Sequence, residues 1–274
     1  MVRRLALIAS LVVVFFLQPA IPVEARSSQP PNSMAALGDS ITRAFNACGW
    51  FVDCPSRSWS TGDNADVESH YLRILSENPE IKENNFNDAR SGAKVADLAG
   101  QAQTAVDQGV EYVTVLIGAN DACTSSESNM TPVETFSSQL GEGLGIIEEG
   151  LPDARVFIAS IPDIKRLWEV GKDNAAAREI WRLGGICQSM LANPTSDDAD
   201  DQARRDRVRQ RVIDYNAELA EACSAYGPNC SYDGGAVFEY PFTLQHVSEW
   251  DYFHPNTAGQ RVLAEVTYEA GFNW

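Results

Sequence analysis

Histidine is scarce, basic residues are outnumbered, and no long apolar run occurs after the first 25 residues of this chain. The three histidines are His70, His246 and His254 in 274 residues. Downstream of the N-terminus nothing approaches the ~20 apolar residues that a membrane-spanning helix needs, which excludes a polytopic membrane protein. Lys and Arg number 21 against 38 Asp and Glu, a formal net charge of −17. Such a surface repels nucleic acid and anionic membranes and favours solubility. There is no Cys-x-x-Cys pair and no His-Glu-x-x-His, so nothing signals a zinc site or any other metal. The run Gly141-x-Gly143-x-Gly145 does not follow a strand and lacks the spacing of a nucleotide-binding turn. The acidic run Asp197-Asp198-Ala199-Asp200-Asp201 lacks EF-hand-like spacing and reads as a solvated loop. No cofactor is implied, and no internal repeat appears.

What is present begins with an N-terminal address. Arg3 and Arg4 precede an apolar run from Leu5 to Leu17, and Val23-Glu24-Ala25 supplies small residues for cleavage. This describes a signal peptide over residues 1–25, the rival being an uncleaved N-terminal anchor. Removing it takes away two arginines and one glutamate, leaving a charge of about −18 on about 250 residues, enough for one large α/β domain. Residues 26–33 read as a flexible lead, and 34–274 as a single domain. The expected location is therefore extracellular or at the cell envelope, with no stable membrane anchor. Six cysteines in an exported chain suggest three disulfides. Cys48 and Cys54, like Cys223 and Cys230, are close in sequence with Gly or Pro between them, which favours local loops and leaves Cys123 for Cys187. Buried free thiols are the alternative.

Strand-like and helix-like patterns alternate along the chain. The apolar residues of 34–37 read as a buried strand ending at Gly38-Asp39-Ser40. Residues 84–89 suggest a second strand before Arg90-Ser91-Gly92. The strongest strand signal, Glu111 to Ile117, ends in Gly118-Ala119-Asn120-Asp121. Residues 155–160 and 236–240 read as further strands. Helices are expected over 66–78, 94–107, 132–149, 204–226 and 256–270. Residues 162–203 form the least regular stretch. Strands alternating with helices imply a three-layer α/β/α sandwich around a central parallel sheet, whose ligands sit beyond the carboxyl ends of the strands. Three of the polar motifs fall at such ends.

Those motifs carry chemistry. In Asp251-Tyr252-Phe253-His254-Pro255, positions three apart on one turn face the same side. Asp251 can then hold one ring nitrogen of His254 and leave the other free to take a serine proton near neutral pH. Ser40 closes a strand after Gly38, which permits a sharp turn. A helical start at Ile41-Thr42-Arg43-Ala44 would aim free N–H groups at an oxyanion. Asn120 follows a buried strand and can donate its side-chain amide to the same oxyanion. His70 lies inside an expected helix as a surface or packed residue, and His246 has no carboxylate at matching spacing before it.

Together and in this order, Gly38-Asp39-Ser40-Ile41, Gly92, Gly118-Ala119-Asn120-Asp121 and Asp251-x-x-His254 resemble the blocks of the SGNH hydrolases, the GDSL-type esterases and lipases, over residues 34 to 265. Ile117 to Cys123 is similar to the bacterial secreted lipase and phospholipase B-like branches. The resemblance implies the SGNH fold, with Ser40 as nucleophile, His254 as base and Asp251 as its orienting group. It implies an oxyanion hole from the backbone amides of Ser40 and Gly92 and the side chain of Asn120. No Gly-x-Ser-x-Gly elbow occurs, which argues against the α/β-hydrolase fold. The expectation is a secreted serine ester hydrolase that acts on small-molecule or lipid acyl esters through an acyl-enzyme and needs no cofactor. The alternative is a carbohydrate O-deacetylase of the same fold. Trp50 and Phe51, on the loop that a Cys48–Cys54 bond would close, are candidate substrate contacts for an acyl chain, and Trp50 and Trp59 could equally stack on sugar rings. A Cys123–Cys187 bond would tether the oxyanion loop to 162–203, a candidate cover for the pocket.

Overall fold

The computed structural model describes residues 29–274, so the expected signal peptide at 1–25 lies outside the described residues. In chain order the elements are β1 (Met34–Gly38), α1 (His70–Glu77), β2 (Asn85–Asn87), α2 (Leu98–Gln108), β3 (Tyr112–Leu116), α3 (Ala119–Ala122), α4 (Val133–Gly150), β4 (Arg155–Ile158), α5 (Ile164–Gly171), α6 (Ala175–Gly184), α7 (Gln188–Leu191), α8 (Ala199–Tyr226), β5 (Cys230–Tyr232), α9 (Ala236–Glu239) and α10 (Thr257–Glu269). The five strands form one parallel sheet in the order β2-β1-β3-β4-β5. Met34 pairs with Asn85 on one side and Tyr112 on the other, Gly38 with Leu116, Val113 with Val156, and Val156 with Cys230.

Both central strands are buried at every position. A strand covered on both faces cannot alternate, which is why β1 and β3 read as apolar runs. Right-handed crossovers then fix the layers. The chain leaves β1 in one direction and β2, β3 and β4 in the other, so α1 lies on the opposite face from α2, α4 and α8. On the α4–α8 side Phe136 stacks on Tyr215 with ring centroids 4.2 Å apart. On the other side His70 of α1 is fully buried, bonded to the Tyr112 hydroxyl at 2.9 Å and to the Thr267 hydroxyl of α10 at 2.8 Å. Burial holds its pKa down at about 3, so it is a neutral core residue and not a surface one.

The sheet order places a topological switch point between β1 and β3. Connections depart there in opposite directions and leave a crevice at the carboxyl ends. All three disulfides form: Cys48–Cys54, Cys123–Cys187 and Cys223–Cys230.

Several expectations need correction. Residues 162–203 are not irregular: they carry α5, α6, α7 and the start of α8. Asp163 and Asn174 cap α5 and α6 through side-chain oxygens that accept from backbone amides. The acidic run at 197–201 is not a loop throughout, because residues 199–201 open α8. Acidic groups are favoured in a first helical turn. The expected strand at 236–240 is the helical turn α9, and the last strand lies earlier at β5. A short apolar run does not distinguish the two states. After Ser40 no helix is sustained. The Arg43 amide donates to the Asp39 carbonyl at 3.0 Å, and Ala44 then turns left-handed with φ 50°.

Candidate active site

The turn after β1 is built around Gly38, whose φ is 148°. A Cβ there would lie 2.3 Å from the Leu116 carbonyl oxygen of β3, so no other residue fits. Buried Gln101 of α2 bonds both backbone polar groups of Gly38. Its Oε1 accepts from the Gly38 amide at 2.7 Å and its Nε2 donates to the Gly38 carbonyl at 2.9 Å. The strand therefore ends against a side chain, and the next two residues are lifted to the rim. Gly118 does the same for β3: φ is 118°, and a Cβ would meet Ile161 at 2.5 Å. Asn120 follows within α3.

At that rim Ser40 Oγ lies 2.8 Å from His254 Nε2, and His254 Nδ1 lies 2.6 Å from Asp251 Oδ2. The hydroxyl and imidazole are 214 positions apart in sequence. Asp251 Oδ1 accepts from the backbone amides of Phe253 at 2.9 Å and His254 at 3.0 Å. Burial works to raise the Asp251 pKa. The hydrogen bond from His254, its charge and the two backbone amides outweigh that and hold the carboxyl below its ordinary value. Asp251 is thus an anion under the imidazole, the arrangement that fixes one tautomer and stabilises a forming imidazolium.

Asn46, which the sequence reading did not single out, completes the shell of Asp251. Its Nδ2 donates to Oδ2 at 2.6 Å, and its Oδ1 accepts from the Phe51 amide at 2.6 Å. It is buried in a left-handed conformation with φ 60°. An Asn with positive φ on a turn is the one sequence-level hint it offers, and that hint does not name a partner 205 positions away.

Ser40, Gly92, Asn120 and His254 line one basin. The backbone amides of Ser40 and Gly92 meet no acceptor among the described residues. Asn120 Nδ2 gives one hydrogen to the Ala93 carbonyl at 2.9 Å and keeps the other. Asp121 is turned inward: its carboxylate accepts from the Val95 amide at 2.9 Å and the Thr131 hydroxyl at 2.7 Å. Asp39 is also buried, with Oδ1 accepting from the Ile41 amide at 2.8 Å and Oδ2 without a partner among the described residues. Burial pushes its pKa up to about 7.

Trp50 and Phe51 line the outer part of this basin with Trp250 and Ile180. Trp59 does not: it is fully buried and its Nε1 donates to Thr42 Oγ1 at 3.3 Å, so it cannot stack on a sugar. A second cavity opens beside Ser40 and His254. Ile164, Leu167 and Val170 of α5, with Phe242 and Phe253, make its walls apolar. His246 joins them, a lining residue the sequence reading had set aside. Among the described residues no group of three or more His, Cys, Asp or Glu is placed to hold a metal ion, and no helix is long and apolar enough to cross a membrane.

Comparison with known proteins follows the same lines. A family model described as GDSL-like lipase/acylhydrolase matches residues 34–267. The mouse protein named phospholipase B1, membrane-associated, is 28% identical over 230 residues, which cover 70% of this chain and 16% of the mouse protein. The human protein of that name is 26% identical over 181 residues, covering 55% of this chain and 12% of its own length. The chain thus spans less than a fifth of the length of these relatives. Among solved structures, an extracellular lipase from Streptomyces rimosus superposes with a TM-score of 0.53 at 18% identity, covering 87% of this chain and 99% of the lipase. At that identity the likeness speaks for the fold.

Proposed function

The chain belongs to the GDSL-like lipase/acylhydrolase family, and on that premise we propose that it is an exported serine hydrolase that cleaves acyl esters through a covalent acyl-enzyme. Ser40 Oγ attacks the ester carbonyl while His254 Nε2 takes its proton, and Asp251 supports the imidazolium. The amides of Ser40 and Gly92 and the side chain of Asn120 receive the tetrahedral oxyanion. Collapse expels the alcohol, which leaves with the proton from His254. Water then enters, gives a proton to the same nitrogen and releases the acid.

The observation that carries this reading is the hydrogen-bonded run from Ser40 through His254 to Asp251, at 2.8 and 2.6 Å. The apolar cavity beside Ser40 favours an acyl chain longer than acetyl over the carbohydrate O-deacetylase reading, since an acetyl group has no use for such walls. Three disulfides suit an oxidising compartment outside the cytosol. The test is hydrolysis of nitrophenyl esters by Ser40→Ala and His254→Ala, each expected to lose roughly four or more orders of magnitude in kcat. Asn120→Ala should lose about 100- to 1,000-fold. Retention of more than a tenth of the activity by Ser40→Ala would overturn the assignment.

A further inference from the structure

The exposed large apolar side chains among the described residues are Trp50, Phe51, Val52, Leu183 and Trp250. Singly scattered residues of this kind need no explanation, but these are gathered at one place. Trp50, Phe51 and Trp250 line the basin that holds Ser40 and His254. Val52 continues the same loop. Leu183 lies on α6 between Ile180 and Gly184, which line the basin too. Three of the five thus line the basin, and the other two sit beside its lining residues in the chain.

The chain also holds Phe51 outward against its own backbone preference. Its φ is 56°, a region that bulky residues avoid. The conformation is kept by the 2.6 Å hydrogen bond from its amide to buried Asn46 and by the Cys48–Cys54 bond around the loop. The side chain is left 78% exposed and that of Trp50 70% exposed. Phe45, in contrast, turns inward and meets His254 edge-on at 5.0 Å. A loop that needed only to pack itself would have no use for the strain at Phe51.

Charge narrows the occupant. The chain carries −17 overall. On the two rim segments Arg43 is paired with Asp53 at 3.1 Å and Arg182 with Glu179 at 2.6 Å, while Arg178 donates to the Lys172 carbonyl at 2.9 Å. A chain of this net charge is repelled overall by an anionic surface, whereas apolar side chains enter a head-group boundary through burial alone.

We propose that Trp50, Phe51, Val52, Leu183 and Trp250 form a docking rim for a lipid–water interface of electrically neutral head groups. The rim seats the basin mouth on the lipid, so that an ester chain reaches Ser40 without crossing water. This deepens the ester-hydrolase reading and rests on it.

The test uses the exported protein without the apolar segment 1–25 and carrying Ser40→Ala, so that lipid is not consumed, with sucrose-loaded vesicles of pure phosphatidylcholine and of phosphatidylcholine with phosphatidylglycerol. Expected is co-sedimentation with the neutral vesicles that is no stronger on the anionic ones at low salt. Val52→Ser with Leu183→Ser should weaken partitioning by roughly tenfold or more per residue, at an unchanged melting temperature, and Trp50→Ser should weaken it further. Absence of binding at millimolar neutral lipid overturns the proposal. So do equal binding by the variants and stronger binding to anionic vesicles. Sedimentation as a dimer that the Leu183→Ser variant dissociates would assign the rim to a second copy and equally overturn it. Turnover of a soluble short-chain ester by the wild-type protein separates the two claims. A protein that hydrolyses that ester but ignores vesicles loses the rim alone, and one that binds vesicles but hydrolyses nothing loses the hydrolase reading.

Discussion

Lengthening the acyl chain of the substrate should raise kcat/KM steeply and then stop. The cavity behind Ser40 is walled by Ile164, Leu167, Val170, Phe242 and Phe253, so each methylene that enters leaves water for apolar contact. A fully buried methylene contributes about 0.8 kcal/mol, or about fourfold in rate at 1.36 kcal/mol per tenfold. From acetyl to hexanoyl, four methylenes give about 3 kcal/mol, an upper bound near 200-fold in kcat/KM. The gain should level off once the chain reaches the end of the cavity. Leu167→Trp places extra bulk on the α5 wall and should move that plateau to a shorter chain, with the loss concentrated in the longest esters. The assay is initial rates on nitrophenyl acetate, butanoate, hexanoate, octanoate and decanoate, each below its aggregation threshold. An enzyme that prefers acetate over butanoate and hexanoate would refute the role given to this cavity and turn the assignment toward a deacetylase.

Asn46→Gly removes the amide that holds Asp251 while allowing φ 60°. A lost hydrogen bond to a buried charge costs roughly 1.5–3 kcal/mol, so kcat should fall about 10- to 100-fold with KM little changed; an unaltered kcat would deny Asn46 a positioning role. Asp39 and His70 set opposing pH dependences. Asp39, raised by burial from 3.8 to about 7, contributes stability below pH 4 that is lost as pH rises through 7. His70, lowered by burial from 6.5 to about 3, contributes stability above pH 6.5 that is lost as pH falls toward 3. Each is worth on the order of 4 to 5 kcal/mol over its window, and between about pH 4 and 6.5 they cancel. Asp39→Asn should therefore uncover a fall in melting temperature from pH 6.5 to 4 that the wild type lacks, and parallel curves for the two proteins would contradict the burial argument. The Cys123–Cys187 bond, with a sequence separation of 64, limits the unfolded chain more than the two local bonds do. Replacing both cysteines by Ala should cost about 4 kcal/mol of stability and loosen the oxyanion loop, measured as a lower denaturation midpoint together with a lower kcat.

The parallel sheet was legible because both-face burial leaves its central strands as apolar runs, and parallel sheets present their loops at one end. That is why the sequence alone places Ser40, Gly92 and Asn120 at one rim. Asp251 and His254 were legible through their spacing on a tight turn. Asn46 was not: its partner lies 205 positions away, and an asparagine on a loop is ordinary. Gln101, which closes β1 by bonding both sides of Gly38, sits on a helix whose pattern gives no sign of it. Trp59, for which sugar stacking was one alternative, packs in the core, because an aromatic near a nucleophile can fill a core as easily as a pocket. The helices between 162 and 203 are short, but two of them do carry a signal: Ile164, Trp168 and Gly171 on α5 and Ala177 and Trp181 on α6 are buried at helical spacing, a pattern that the sequence reading passed over.

The most direct measurement of the central claim is mass spectrometric mapping of the wild-type protein after reaction with a fluorophosphonate. A hydroxyl activated 2.8 Å from an imidazole should yield a single phosphonyl adduct, located on Ser40, formed in step with loss of esterase activity and strongly slowed in His254→Ala. An adduct on another residue, or full inactivation with Ser40 unmodified, would contradict the account.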